Sequence, residues 1–336
     1  MRGEILLILV VLSALVSAYL YISNSTYLPV GLFILALSLL IISSSKFIHT
    51  ASKIGKSLGL SDYLIGVILI GFGTSTPELV TSLYASYQGN FEIAYFNLVG
   101  SNISNILLIF GLSMIFLNSN RLVVKTNLLK TESLYLFISA IIPIILFIKT
   151  PVDSIIGIIP LLMFIVYFYI NSSDGMERID EMNSVKLVDY IILVISLLIL
   201  AFSADQTIIY LKETAKVIGV GLDLISLLAL AIGTSLPELV TTILLARKGE
   251  NQDILLGNII GSNIFNTLMI LGGSMITSYI VGIHSLSIQS DILEISWIFL
   301  IISTIALLLM YLDKEVYRED GLILVLMYLI FLGMVL

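Results

Sequence analysis

One segment occurs twice in this 336-residue chain, and each copy sets an acid and a proline inside apolar sequence. The first copy, residues 71–111, reads GFGTSTPELVTSLYASYQGNFEIAYFNLVGSNISNILLIFG. The second, residues 231–272, reads AIGTSLPELVTTILLARKGENQDILLGNIIGSNIFNTLMILG. Thr74, Ser75, Pro77 and Glu78 recur as Thr234, Ser235, Pro237 and Glu238; Gly100, Ser101, Asn102 and Asn105 recur as Gly261, Ser262, Asn263 and Asn266. Without these residues the segments would read as plain membrane-spanning helix.

The solvent for such a chain has to be lipid. It is 58% hydrophobic and 12% charged, more apolar side chain than a soluble fold of this length can bury. Cysteine is absent, which excludes disulfides, thiol chemistry and cysteine metal sites. Two histidines, His49 and His284, leave little for a zinc or iron centre, and no basic cluster points to nucleic acid. The tyrosines and Trp297 read as anchors at the membrane–water interface.

Apolar periodicity divides the chain into an all-α integral membrane protein. Residues 1–24 form an extra N-terminal transmembrane helix or a signal segment, with Val16-Ser17-Ala18 offering small residues for cleavage. Residues 27–172 form a first five-helix repeat, with helices expected near 28–56, 63–87, 91–117, 133–148 and 155–170. Residues 173–186 are a polar cytoplasmic linker. Residues 187–336 form the second repeat, with helices near 187–216, 223–247, 253–280, 293–312 and 322–336. Five spans per half turn the second copy upside down, giving ten core transmembrane helices in two inverted repeats. The basic residues agree: with the chain outside before Leu28, thirteen of the 16 lie on inside segments, and only Lys149, Lys212 and Lys216 lie outside. Inverted repeats place a substrate site near the midplane, on interrupted helices.

The repeated motif has the chemistry of a cation site. Proline lacks an amide hydrogen and clashes with the carbonyl four residues back, so Pro77 frees the Gly73 carbonyl and Pro237 that of Gly233. Ser101 and Asn105, and likewise Ser262 and Asn266, are spaced i, i+4 and point their oxygens one way. Glu78 and Glu238 have no lysine or arginine nearby in either motif helix, so burial obliges them to bind cations or protons. Two carboxylates balance one divalent ion, two monovalent ions or two protons. Calcium suits an irregular shell of carboxylate, amide and hydroxyl oxygens; magnesium demands a rigid octahedron and holds its water. A transition metal would call for histidine or cysteine.

GTSxPE and GSNxxN, each present twice in inverted halves, resemble the signatures of the cation/calcium antiporter superfamily, most closely its prokaryotic sodium/calcium exchangers. The resemblance covers the chain from about Leu28 to Leu336. It implies a secondary antiporter, not an enzyme, that expels cytosolic calcium against sodium, usually three sodium ions per calcium, by alternating access in the cell membrane. Glu78 and Glu238 would be the central ligands, and Thr74 and Thr234 would add backbone carbonyls. Ser75, Ser235, Ser101, Asn105, Ser262 and Asn266 would complete the sites, with the backbones of Gly71 and Ala231 flanking them. Helices 28–56 and 187–216 would slide across the other eight. Calcium and sodium would be transported ions, with no cofactor, no nucleic acid and no second subunit required. Three departures stand out: Asn266 where potassium-dependent relatives carry aspartate, Phe96 where the family favours glycine, and the extra N-terminal run. The rival readings are a proton/calcium antiporter using the same acids and, from another class, a passive cation channel.

Overall fold

A computed structural model describes residues 2–23, 25–124, 129–174, 185–218, 234–249 and 252–335. Helices follow the apolar runs: α1 (Arg2–Ile22), α2 (Leu28–Ser57), α3 (Asp62–Leu64), α4 (Phe72–Thr74), α5 (Thr76–Tyr87), α6 (Phe91–Ser104) and α7 (Gly111–Ile115) come first. Strand β1 (Arg121–Val123), α8 (Leu129–Phe147), strand β2 (Val152–Asp153), α9 (Ile158–Asp174) and α10 (Leu187–Ile218) follow. The remainder is α11 (Leu236–Lys248), α12 (Gln252–Phe265), α13 (Gly272–Ile280), β3 (Ser285–Leu286), α14 (Leu293–Leu312), β4 (Glu315–Tyr317) and α15 (Arg318–Val335). The helix expected over 63–87 is broken at Ser75, where its two parts bend by 45°. Most of the expected linker, and the first part of the helix expected over 223–247, lie outside the described residues. Among the described residues six helices are long and apolar enough to cross a membrane, seven if the bent pair is one span.

The chain packs as two compact units, each drawing on both halves of the sequence. One is Met1–Ile54 with Ser184–Thr241. Within it α1 lies close against α2: a Cβ on Gly31 would come 3.0 Å from Ser17 Oγ, so glycine permits the approach. Lys53 Nζ donates to both carboxylate oxygens of Asp189 at 2.9 and 2.8 Å, joining the end of α2 to the start of α10. Ser44 and Thr241 share a buried hydroxyl–hydroxyl bond of 3.0 Å. Leu187, Val188, Val194, Leu198 and Phe202 of α10 are exposed, a large apolar surface of the kind that lipid covers.

The other unit is Gly55–Asn183 with Thr242–Leu336. Its centre is the stretch from α12 to α13, of which the most apolar window is 94% buried, whereas the corresponding window of Ser154–Asn171 is 22% buried. A backbone crossing sets that centre: a Cβ on Gly66 would sit 2.3 Å from the Ile254 carbonyl oxygen, and one on Gly257 would sit 2.2 Å from that of Tyr63. Two short antiparallel ladders brace the loops. Leu122 pairs with Val316 between β1 and β4, and Val152 with Leu286 between β2 and β3.

Several aromatic residues expected at the membrane interface are core residues instead. Tyr63, Tyr95, Tyr167, Tyr311 and Tyr328 are buried. Trp297 Nε1 donates to the Tyr95 hydroxyl at 2.7 Å, and that hydroxyl donates to the Pro143 carbonyl at 3.2 Å. A phenol that finds a polar partner inside the bundle loses nothing by leaving the interface.

Candidate cation site

The first motif is shaped by its helix break. The backbone is π-helical over Ile65–Gly71, becomes α-helical through Thr74, and leaves the helix at Ser75 with φ −82° and ψ 6°. Thr76 and Pro77 then open α5, placing proline in the first turn, where its missing N–H costs nothing. Glu78 falls in that same first turn, where exposed amide dipoles favour a carboxylate. The Ser75 amide reaches the Gly71 carbonyl at 3.1 Å and also that of Gly73, so the carbonyl expected to be freed by Pro77 keeps a contact. Thr74 Oγ1 folds back on the Ile70 and Gly71 carbonyls at 3.0 and 3.3 Å.

The partner helices share a feature that no motif announces. α6 passes into a π-helical stretch at Asn105–Phe110, and α12 does the same at Asn266–Leu271. Both stretches begin on a candidate asparagine, and the one in front of the first motif ends on Gly71. π turns cluster at functional sites because the extra residue frees backbone groups and re-aims side chains. Thr74, Ser75, Glu78, Ser101, Asn105, Ser262 and Asn266 are all buried. Ser262 Oγ donates to the Gly71 carbonyl at 3.2 Å, which joins the first motif helix to the second partner helix. The Asn266–Leu271 stretch packs on both α5 and α6.

Asn105 and Asn266 have the clearest binding geometry. Each is at most 1% exposed, and neither the oxygen nor the nitrogen of either carboxamide meets a hydrogen-bond partner among the described residues. An amide in that state costs free energy unless a ligand takes it up. Among the described residues no three acidic, histidine or cysteine side chains converge, so a cation here would rely heavily on neutral oxygens.

In the other unit the second motif repeats the local plan. Thr234 and Ser235 form a turn, the Leu239 amide bonds the Ser235 carbonyl at 3.0 Å, and Glu238 lies buried in the first turn of α11. Ala231 lies outside the described residues.

A family model described as sodium/calcium exchanger protein matches residues 28–172 and 188–336. The chain belongs to the sodium/calcium exchanger family. It is 30% identical over 347 residues to the sodium/calcium exchanger MaX1 of Methanosarcina acetivorans, covering 89% of this chain and 96% of that protein. It is also 30% identical over 310 residues to an uncharacterised membrane protein of Methanocaldococcus jannaschii, covering 90% and 96%. The solved structure of the sodium–calcium exchanger NCX_Mj soaked with 10 mM Na+ and zero Ca2+ superposes with a TM-score of 0.75 at 28% identity, over 92% of this chain and 99% of that one. Like those relatives, this exchanger-family chain is a multi-pass integral membrane protein. The matched segments begin at Leu28 and so leave α1 outside.

Two further asparagines support the exchanger motifs and escaped the sequence reading. Asn97 Nδ2 donates to Ser82 Oγ at 2.9 Å and to the Glu78 carbonyl at 3.3 Å. Asn258 Nδ2 donates to Thr242 Oγ1 at 2.9 Å. Ser82 and Thr242 each stand four residues after a motif glutamate, and the two asparagines each stand four before a motif serine. That shared spacing was the available signal. Asn102 and Asn263, which lie off the i, i+4 face, bond between and within helices: Asn102 Nδ2 reaches Thr267 Oγ1 at 2.9 Å, and Asn263 Nδ2 reaches the Ile259 carbonyl at 2.7 Å.

Proposed function

We propose that this chain is a secondary antiporter that exchanges sodium for calcium and expels calcium from the cytosol. The observation that carries this reading is the pair of buried carboxamides, Asn105 and Asn266, whose oxygens meet no partner among the described residues and which head matching π-helical turns. Hard cations take such amide oxygens together with carboxylate, hydroxyl and carbonyl oxygens. Glu78 and Glu238 supply the charge. Thr74, Ser75, Ser101 and Ser262, with the Gly71 carbonyl, supply neutral oxygens, and Thr234, Ser235 and Ala231 do the same from the second motif. Sodium and calcium compete for these oxygens, so one leaves as the other enters. The protein acts as a monomer.

The same reading includes ten core transmembrane helices in two inverted repeats, with α1 as an added membrane helix or a signal segment. Support comes from features that exchange places between the halves. β1 of the first half pairs with β4 of the second, and β3 of the second pairs with β2 of the first. The π turns at Asn105 and Asn266, and the amide–hydroxyl bonds of Asn97 and Asn258, recur at matching positions. Alternating access would move α2 and α10 together, with Lys53 and Asp189 coupling their ends.

Calcium uptake by proteoliposomes under separate sodium, proton and potassium gradients tests the assignment. The expected result is uptake driven by an outward sodium gradient alone. Uptake that follows a pH gradient without sodium would assign proton coupling instead, and uptake with no counter-ion at all would indicate a channel.

A further inference from the structure

A third buried acid stands outside the motifs. Glu132 lies in the first turn of α8 and is 3% exposed. Three phenols from three other helices close around it: Tyr63 of α3, Tyr167 of α9 and Tyr311 of α14, each equally buried or more so. Tyr167 donates its hydroxyl to Glu132 Oε2 at 3.1 Å. Tyr135, one turn on along α8, packs its ring edge-on against Tyr167 at 4.8 Å. The Tyr63 hydroxyl points a hydrogen-bonding interaction at the carboxyl and the Tyr311 hydroxyl an electrostatic one, though neither reaches full hydrogen-bond geometry among the described residues. α12, whose one ionisable residue is Asp253, and the Asn266–Leu271 turn, which has none, also pack on α8, and no lysine, arginine or histidine whose side chain is described pairs with the acid.

Counting donors and acceptors decides what this cluster can hold. An ionised Glu132 would be a buried anion with one closed hydrogen bond, an arrangement that burial penalises heavily. A neutral Glu132 keeps the Tyr167 bond on its carbonyl oxygen and gains an O–H donor. That donor has acceptors waiting in the two idle phenol oxygens. We propose that Glu132 is a proton-binding site, separate from the exchange site, whose occupancy makes exchange depend on pH. The proton binds to Oε1 and is shared with Tyr63 or Tyr311. On its release the carboxylate draws those two hydroxyls in as donors, which tightens four helices about one point. The protonation chemistry needs neither sodium nor calcium and so stands apart from the reading of the exchange site.

Infrared difference spectroscopy of the full chain in liposomes, between acid and alkaline buffer with sodium and calcium absent, tests it directly. The expected signature is a carboxylic C=O band that grows on acidification, shifts in deuterium oxide and is missing in E132Q. In Y167F the band should move to higher frequency, because the carbonyl loses its phenol donor. Identical spectra from wild type and E132Q over the whole pH range would overturn the proposal. A Glu132 signal that answers to added sodium at fixed pH would also overturn it, assigning the site to an alkali cation. In transport, the ratio of E132Q to wild-type flux should change at least about twofold across the same range; a constant ratio would remove the coupling to exchange.

Discussion

At the scale of single residues, the proposed cation site is a set of polar groups that water no longer serves. A buried amide with no partner costs about 1–3 kcal/mol, and an apolar group of similar shape can replace it without that cost. N105L and N266L are therefore expected to impair sodium-driven calcium uptake severely while leaving thermal stability, measured in cation-free detergent, unchanged or raised. A matching fall in melting temperature would show instead that these amides hold the fold together. E78Q and E238Q should abolish exchange, as read by the same uptake assay, while the protein still folds; normal flux in either variant would remove that glutamate from the mechanism. The identities of these residues were legible in the sequence because each appears twice, at fixed spacing, in apolar surroundings. The straps from Asn97 and Asn258 and the cluster at Glu132 were not. Glu132 reads as a lone acid near a helix start, and its three tyrosines come from parts of the chain far from it in sequence.

Elements were read from apolar runs, and most of their limits agree with the structure to within a few residues; the 293–312 helix is the same in both. Their internal breaks were less accessible. Pro77 signalled a break in the first motif helix, but nothing marked the π turns at Asn105 and Asn266, because an extra backbone residue per turn leaves the hydrophobic pattern almost intact. Gly66 and Gly257 stand outside the repeated motif residues, yet they set a very tight helix crossing. G257A would place a Cβ 2.2 Å from the Tyr63 carbonyl oxygen, and overpacking of this kind costs about 1–3 kcal/mol. A clear fall in melting temperature is expected; an unchanged value would mean the two backbones are not so close. The β1–β4 ladder has its own pH signature outside the membrane. The Tyr317 hydroxyl, and then the Arg121 guanidinium at 2.7 Å, hold the Glu315 carboxyl below its usual range. Its stabilising contribution is therefore present above the unfolded carboxylate value of about 4.3 and is lost as pH falls through the lower folded value. The difference in melting temperature between E315Q and wild type should be largest at neutral pH and vanish in strong acid; a difference that grows on acidification would reverse the assignment.

For the whole molecule, the proposed exchange at a pair of acids carries a consequence for charge movement. Two glutamates neutralise one calcium ion. If three sodium ions replace it, one positive charge enters for each calcium that leaves. Moving one charge through 100 mV is worth about 2.3 kcal/mol, so about 60 mV is worth about 1.4 kcal/mol, a factor of ten in the calcium gradient that can be sustained. With sodium equal on both sides and the potential clamped by a potassium ionophore, an interior-negative voltage of that size should hold calcium about tenfold lower inside proteoliposomes than outside. Asn266 bears on the same count, since an aspartate there would add a third negative charge to the site. Exchange of two protons, or of two sodium ions, for one calcium moves no net charge. A calcium distribution indifferent to voltage would therefore rule out the three-to-one cycle without bearing on the proposed ligands.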